Sequence, residues 1–279
     1  MYICCGVFPI FCLKDLAGYE EMSWKKSETR GPLILIAMKR TFLFLLTATL
    51  LVAGLCSCGK ERPLPHVVDN NSTDGDGTVT TSVTWVDLGL PSGLLWADRN
   101  VGAVRPEGSG NYYAWGETNP KMNFEWETYR YSSRNGDMNK YCNDPEYGID
   151  GYTDNLTTLE ASDDAATVNI GGGARTPTKD EWQELMDNTT STWITRNGVN
   201  GRLLTAPNGK SIFLPTPGYR LGRDIYFDGK YSFYWSSSLD TEHPDSAWSF
   251  GFSSAIQNLC GDYGRYYGFS VRAVRASQN

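Results

Sequence analysis

Near the C-terminus, large apolar residues recur at every second position, a spacing that fits a strand and not a helix. Trp248, Phe250 and Phe252 stand at i, i+2 and i+4 and would share one strand face, which makes all three candidates for the core. The same stretch opens at Tyr234-Trp235-Ser236-Ser237-Ser238, passes through Ala247, and closes on Gly268-Phe269-Ser270-Val271-Arg272-Ala273-Val274-Arg275. Tyr, Ser, Asp, Asn and Gly fill the space between these anchors, with scarcely a long flexible side chain. Tyr offers rigid contact area, while Ser, Gly and Asn offer adaptable hydrogen bonds. The pattern therefore reads as a fixed frame presenting an adaptable surface, and it points toward binding rather than chemistry.

The N-terminal part indicates where such a surface would work. Lys39 and Arg40 precede an apolar stretch over 41–55, interrupted only by Thr41, Thr47 and Thr49. That is shorter than the roughly 20 residues a membrane-spanning helix needs. Leu55-Cys56-Ser57-Cys58 follows, and a charged start, a short apolar run and small residues make a secretory signal. A Cys placed after Leu-x-Ser resembles a bacterial lipobox, which would make Cys58 the lipidated first residue of the mature protein. Met38 stands where an initiator would, so residues 1–37 read as an upstream extension of the frame and 38–57 as the signal peptide. Residues 58–82 then form a tether. Pro63, Pro65 and the polar run from Asp69 to Gly77 have no face to bury. The folded domain is expected over 83–276.

Charge narrows the partners. The chain carries 25 basic and 32 acidic residues; residues 1–57 hold 6 and 4 of them, which leaves 19 against 28 after processing. A net charge of −9 on the remainder lacks the basic footprint that nucleic acid requires. Aromatic residues make up 13%, including 9 Trp and 16 Tyr, enough apolar area for one core. Beyond Cys58 only Cys142 and Cys260 remain, too few for a disulfide framework, and whether they pair is left open.

Local signals predict a β-dominated α+β domain. Strands are expected at 84–90 and 93–99 around a Pro91-Ser92-Gly93 turn, then a long aromatic-rich loop over 112–152 that packs down on itself. Thr178 and Glu181 form a Thr-x-x-Glu capping box, and Trp182, Leu185 and Met186 form one apolar stripe of the helix that follows. A weaker helical turn is expected over 159–166. Asn197-Gly198 and Asn208-Gly209 mark hairpins, with a buried strand over 211–214. Trp96, Trp115, Trp182 and Trp235 belong to the expected core.

Several segments together carry a resemblance. Val86-Asp87-Leu88-Gly89-Leu90-Pro91-Ser92-Gly93-Leu94-Leu95-Trp96-Ala97, Tyr113-Ala114-Trp115-Gly116-Glu117, Arg175-Thr176-Pro177-Thr178 and Pro217-Gly218-Tyr219-Arg220 occur in order, followed by the two C-terminal frames. This series resembles Bacteroidetes lipoproteins with a C-type-lectin-like fold, including the "major paralogous" domains named after Fibrobacter. The resemblance implies a C-type-lectin-like fold with one or two short helices and long packed loops, shared with formylglycine-generating enzymes and with retroelement-diversified variable proteins. In the diversified proteins the segment between the two frames is randomised. Asp240, His243, Asp245, Ser246, Ser249, Ser253, Asn258, Asp262, Tyr263 and Tyr267 stand at matching positions and are the candidate ligand-binding residues.

Catalytic readings lack parts. Within the domain His243 is the one histidine, and it precedes Pro244 in a polar loop, so a His-rich zinc site has no donors. Formylglycine-generating enzymes need a close cysteine pair upstream of their Gly-Phe-Arg segment, whereas this chain offers Cys260 alone before Gly268-Phe269. Gly171-Gly172-Gly173 is not followed by Gly-Lys-Ser/Thr and makes no P-loop. The Glu-Pro-Asn, Gln-Pro-Asp and Trp-Asn-Asp triplets of calcium-dependent lectins are absent, so calcium is admitted only through unnamed oxygen ligands. The expectation is an outer-membrane, surface-exposed lipoprotein that needs no cofactor, touches the membrane through its lipid anchor, and recognises a protein or glycan through 239–267, aided by 220–230. A sulfatase-modifying enzyme and a structural envelope component are the competing classes.

Overall fold

The computed structural model describes residues 82–133 and 136–277. Cys58, the signal peptide and the tether lie outside the described residues. Strands β1 (Trp85–Asp87) and β2 (Leu95–Asn100) pair antiparallel as expected, and Gly93, at φ +68°, closes the turn between them with its N–H on Leu90 O at 2.9 Å. A C-terminal strand at Arg272–Arg275 adds to this pair through β2. Between β2 and the helices, residues 101–133 and 136–160 are irregular, with 3-10 turns at Trp126–Thr128 and Ile149–Gly151. They pack down as the aromatic content predicts: Trp115, Phe124, Tyr129, Met138, Tyr141 and Cys142 are all buried.

The expected helical turn at 159–166 is displaced. A 3-10 turn covers Ala161–Asp163, and helix α1 runs Ala165–Ile170. Asp164 explains the shift. Its buried carboxylate caps Ala166 N and Thr167 N while also accepting from Thr176 N and Thr176 Oγ1, so the helix starts after it. Helix α2 (Lys179–Asp187) has the predicted capping box, with Glu181 N on Thr178 Oγ1 at 3.2 Å and Thr178 N on Glu181 Oε2 at 2.8 Å. Arg175 clamps Glu181 with both terminal nitrogens, at 2.7 and 2.5 Å. Trp182 and Leu185 are fully buried, but Met186 is only half-buried and faces a groove.

Strands β3 (Thr190–Arg196), β4 (Val199–Thr205) and β5 (Ser211–Pro215) form one meander. Asn197 and Gly198, at φ +50° and +80°, supply the paired left-handed conformations of its first hairpin. Strands β6 (Tyr219–Leu221) and β7 (Asp224–Tyr226) form a small ribbon. The central sheet is β8 (Tyr231–Leu239), β9 (Ser246–Ser253) and β10 (Gln257–Gly264), ordered β10-β9-β8, and β11 (Arg272–Arg275) returns to β2.

Both faces of the central sheet are covered. On one side Phe233, Trp235 and Tyr263 pack with Phe269, Trp115 and Tyr141. On the other, Tyr234, Phe250 and Phe252 pack with Trp96 and Trp182, whose ring stacks on Phe250 at 4.8 Å. Alternation along β8 sends Phe233 and Trp235 one way and Tyr234 the other. Each such large apolar side chain contributes roughly 1.5–3 kcal/mol by leaving water. Trp96, Trp115, Trp182 and Trp235 are all core, as the sequence predicts.

Arg272 and Arg265 are wholly buried, and among the described residues neither pairs with a carboxylate. Arg272 donates to Asn100 Oδ1, Ala97 O and Phe213 O, tying β11 to β2 and β5. Arg265 donates to Tyr129 Oη, Tyr141 O, Lys140 O and Pro244 O, with its guanidinium over the Trp115 ring at 4.9 Å. Carbonyl dipoles and aromatic faces thus take the place of a counter-ion. Arg265 also fixes the 240–245 turn against the 140–141 loop.

Candidate functional site

The segment from 239 to 267 is a β8–β9 turn followed by the β9–β10 hairpin, and its residues divide between inside and outside. Five of the ten expected contact residues point inward. Ser249 is fully buried, its hydroxyl donating to Cys260 O at 3.3 Å. Ser253 is buried at the end of β9, where its hydroxyl accepts from Ala255 N and Ile256 N to shape the turn, and its carbonyl accepts from Arg202 Nε. Ser246 is buried beside Asp245, its N–H on His243 O at 2.8 Å. Tyr263 packs against Phe233 at 4.7 Å and Phe269 at 5.3 Å and is 5% exposed. Asp240 is 7% exposed and accepts from Glu242 N, an Asx turn that organises the tip. These five, expected as ligand contacts, are buried and bonded within the framework of the fold. Both faces of β9 are covered, so Ser246 and Ser249 are buried although the pleat sends them to opposite sides.

His243, Asp245, Asn258, Asp262 and Tyr267 remain at least partly accessible. Burial pushes the Asp245 carboxyl up from its ordinary value, with His243 acting in the opposite sense. His243 Nδ1 lies 3.4 Å from Asp240 Oδ2. Tyr267 belongs elsewhere, in an aromatic group with Tyr219, Tyr263, Tyr266 and Phe269. The β6–β7 ribbon joins that group through Tyr219, stacked on Tyr226 at 5.6 Å.

Asn258 and Asp262 line a groove of about 750 Å³ between α2 and the β9–β10 hairpin. Lys179, Asp180, Gln183, Met186 and Asp187 from α2 form one wall, and residues 257–262 of β10 form the other. Trp248 joins them. It is half-buried rather than core, a correction to the periodicity argument: the shared face with Phe250 and Phe252 holds, but Trp248 lies toward the end of that face, where α2 gives only partial cover. Gly261 permits its placement, because a Cβ there would fall 3.1 Å from Trp248 Cε2. The Lys179 ammonium sits over the Trp248 ring, 4.5 Å from its centroid.

The α2 wall was not anticipated as part of the site, though its spacing carries the signal. Lys179, Gln183 and Met186 stand at i, i+4 and i+7, a stripe that Trp182 and Leu185 leave facing outward. Among the described residues no group of three or more His, Cys, Asp or Glu is placed to hold a metal ion. Cys142 and Cys260 are both buried free thiols, and burial pushes the Cys142 thiol up. The groove thus presents an aromatic ring, amides and carboxylates, an arrangement suited to noncovalent contact. In comparisons with known proteins, no family model, no curated protein and no solved structure matches the chain.

Proposed function

We propose that this chain is a non-catalytic recognition lipoprotein of a bacterial surface. Its domain would have the C-type-lectin-like fold, anchored through Cys58, and it would bind a protein or glycan. The reading is supported by the groove. An accessible Trp flanked by amides and carboxylates, on a sheet packed from both sides, is the composition of a binding site with a preorganised anchor. The ligand region becomes Trp248, Asn258, Asp262 and the outer face of α2, with His243 and Asp245 at the neighbouring tip.

The test is to screen the full chain against arrayed glycans and extracellular proteins beside its Trp248→Ala variant. Loss of about tenfold or more in affinity, with folding retained, is expected for a true ligand. A ligand held equally by both proteins would remove the groove from the reading. Copper-dependent oxidation of a Cys-containing sulfatase peptide would overturn the non-catalytic assignment altogether. For the anchor, Cys58→Ala should abolish incorporation of labelled fatty acid.

A further inference from the structure

Lys179 occupies an unusual position for a cation. Its ammonium forms no ion pair among the described residues and rests on the face of Trp248. Around it the groove is acidic: Asp180 and Asp187 on α2, with Asp262 across on β10. Gln257 Oε1 is a buried acceptor with no hydrogen-bond donor among the described residues. The groove therefore offers negative charge and an electron-rich ring face, and one ammonium of the chain itself already occupies that face.

We infer that the groove takes a basic peptide segment of a protein partner, whose Arg or Lys replaces Lys179 over the Trp248 ring. This rests on the recognition reading above and names its ligand class. Charge decides between the candidates. Putting a neutral sugar on the ring face would expel the ammonium from an acidic site without replacing its charge. Exchange of one cation for another leaves the local charge unchanged and frees Lys179 to solvent. Guanidinium and ammonium groups are donors without acceptor capacity, matching the exposed Asp180 and Asp187 carboxylates. Length favours a peptide over a lone amine. Asp180 and Asp187 are seven residues apart on one helix, about 10 Å along its axis, so one small cation cannot meet both. The exchange is cheap, because the Lys179 backbone stays fixed by its N–H on Ser238 Oγ at 3.1 Å and only the side chain swings away.

The experiment is selection of a random-peptide display library on the full chain, in parallel with Trp248→Ala and with an Asp180→Asn, Asp187→Asn double variant. A neutral-glycan array is probed with the same three proteins, and each is checked for folding by thermal unfolding. Peptides that bind the wild type but neither variant should be enriched in Arg and Lys. Their binding should fall steeply with salt, and Lys179→Ala should tighten it roughly two- to fivefold by removing the competitor. Groove-dependent peptides without basic enrichment would overturn the inference. So would an unchanged or weakened affinity in Lys179→Ala. Trp248-dependent glycan binding without basic-peptide binding would overturn it too, while leaving the recognition reading standing. Absence of any Trp248-dependent binding in either format would overturn both.

Discussion

At the scale of single residues, the two tyrosines at 263 and 267 behave as opposites although both stand in the display segment. Tyr263 is wedged between Phe233 and Phe269, so Tyr263→Ala leaves a cavity in the core and should cost about 3–5 kcal/mol, measurable by urea unfolding. Tyr267 is half-buried, and Tyr267→Ala should cost markedly less, about 1 kcal/mol. Arg265 is the sterner case. Its guanidinium satisfies the carbonyls of Lys140, Tyr141 and Pro244 in a region that excludes water, so Arg265→Met should destabilise by about 3 kcal/mol or more. Lysine would not repair it, because one ammonium cannot reproduce the planar fork.

At the scale of elements, α2 couples stability to the groove. Its capping box sets the first turn, and that turn carries Lys179 and Asp180. Thr178→Ala should lower stability by about 1 kcal/mol, read from the thermal midpoint, and should broaden the Lys179 and Asp180 amide signals. This helix was legible in the sequence because capping chemistry and helical period agree over adjacent residues. So were the β1–β2 turn and the Asn197-Gly198 hairpin, where backbone conformation depends on one or two residue types. The outward half of α2 was not, because polar residues on a helix signal solvent until the opposing surface is known. Nor was the inward turn of Ser246, Ser249 and Ser253. A serine carries no hydrophobic mark, and its burial depends on what packs across the sheet. Trp248 was misplaced for the related reason that period assigns a face but not where along the face cover ends.

At the scale of the whole molecule, carboxylate contacts tie the irregular residues to one another and brace the start of α2. Burial alone would raise the carboxyls of Asp154, Asp163 and Glu181. Backbone N–H groups at Asp154, Lys140 and Tyr141 at Asp163, and Arg175 with Thr178 at Glu181 outweigh it, leaving all three below their ordinary values. A depressed carboxyl stabilises the fold above the unfolded value near 4 and loses that contribution as pH falls through the folded one. Stability to urea should therefore hold from neutrality down to about pH 4 and decline below it, and Glu181→Gln should flatten part of that decline. The uneven burial of the 239–267 segment has one more consequence, for how the surface can change over generations. A scan of all substitutions at the ten candidate positions should find His243, Asp245, Asn258, Asp262 and Tyr267 permissive for folding and Asp240, Ser246, Ser249, Ser253 and Tyr263 restrictive. Heritable novelty in such a protein is then bounded by geometry: a lineage that rewrote every codon of the segment would lose most of its progeny to misfolding, and one that rewrote only the codons of the accessible positions would keep the fold.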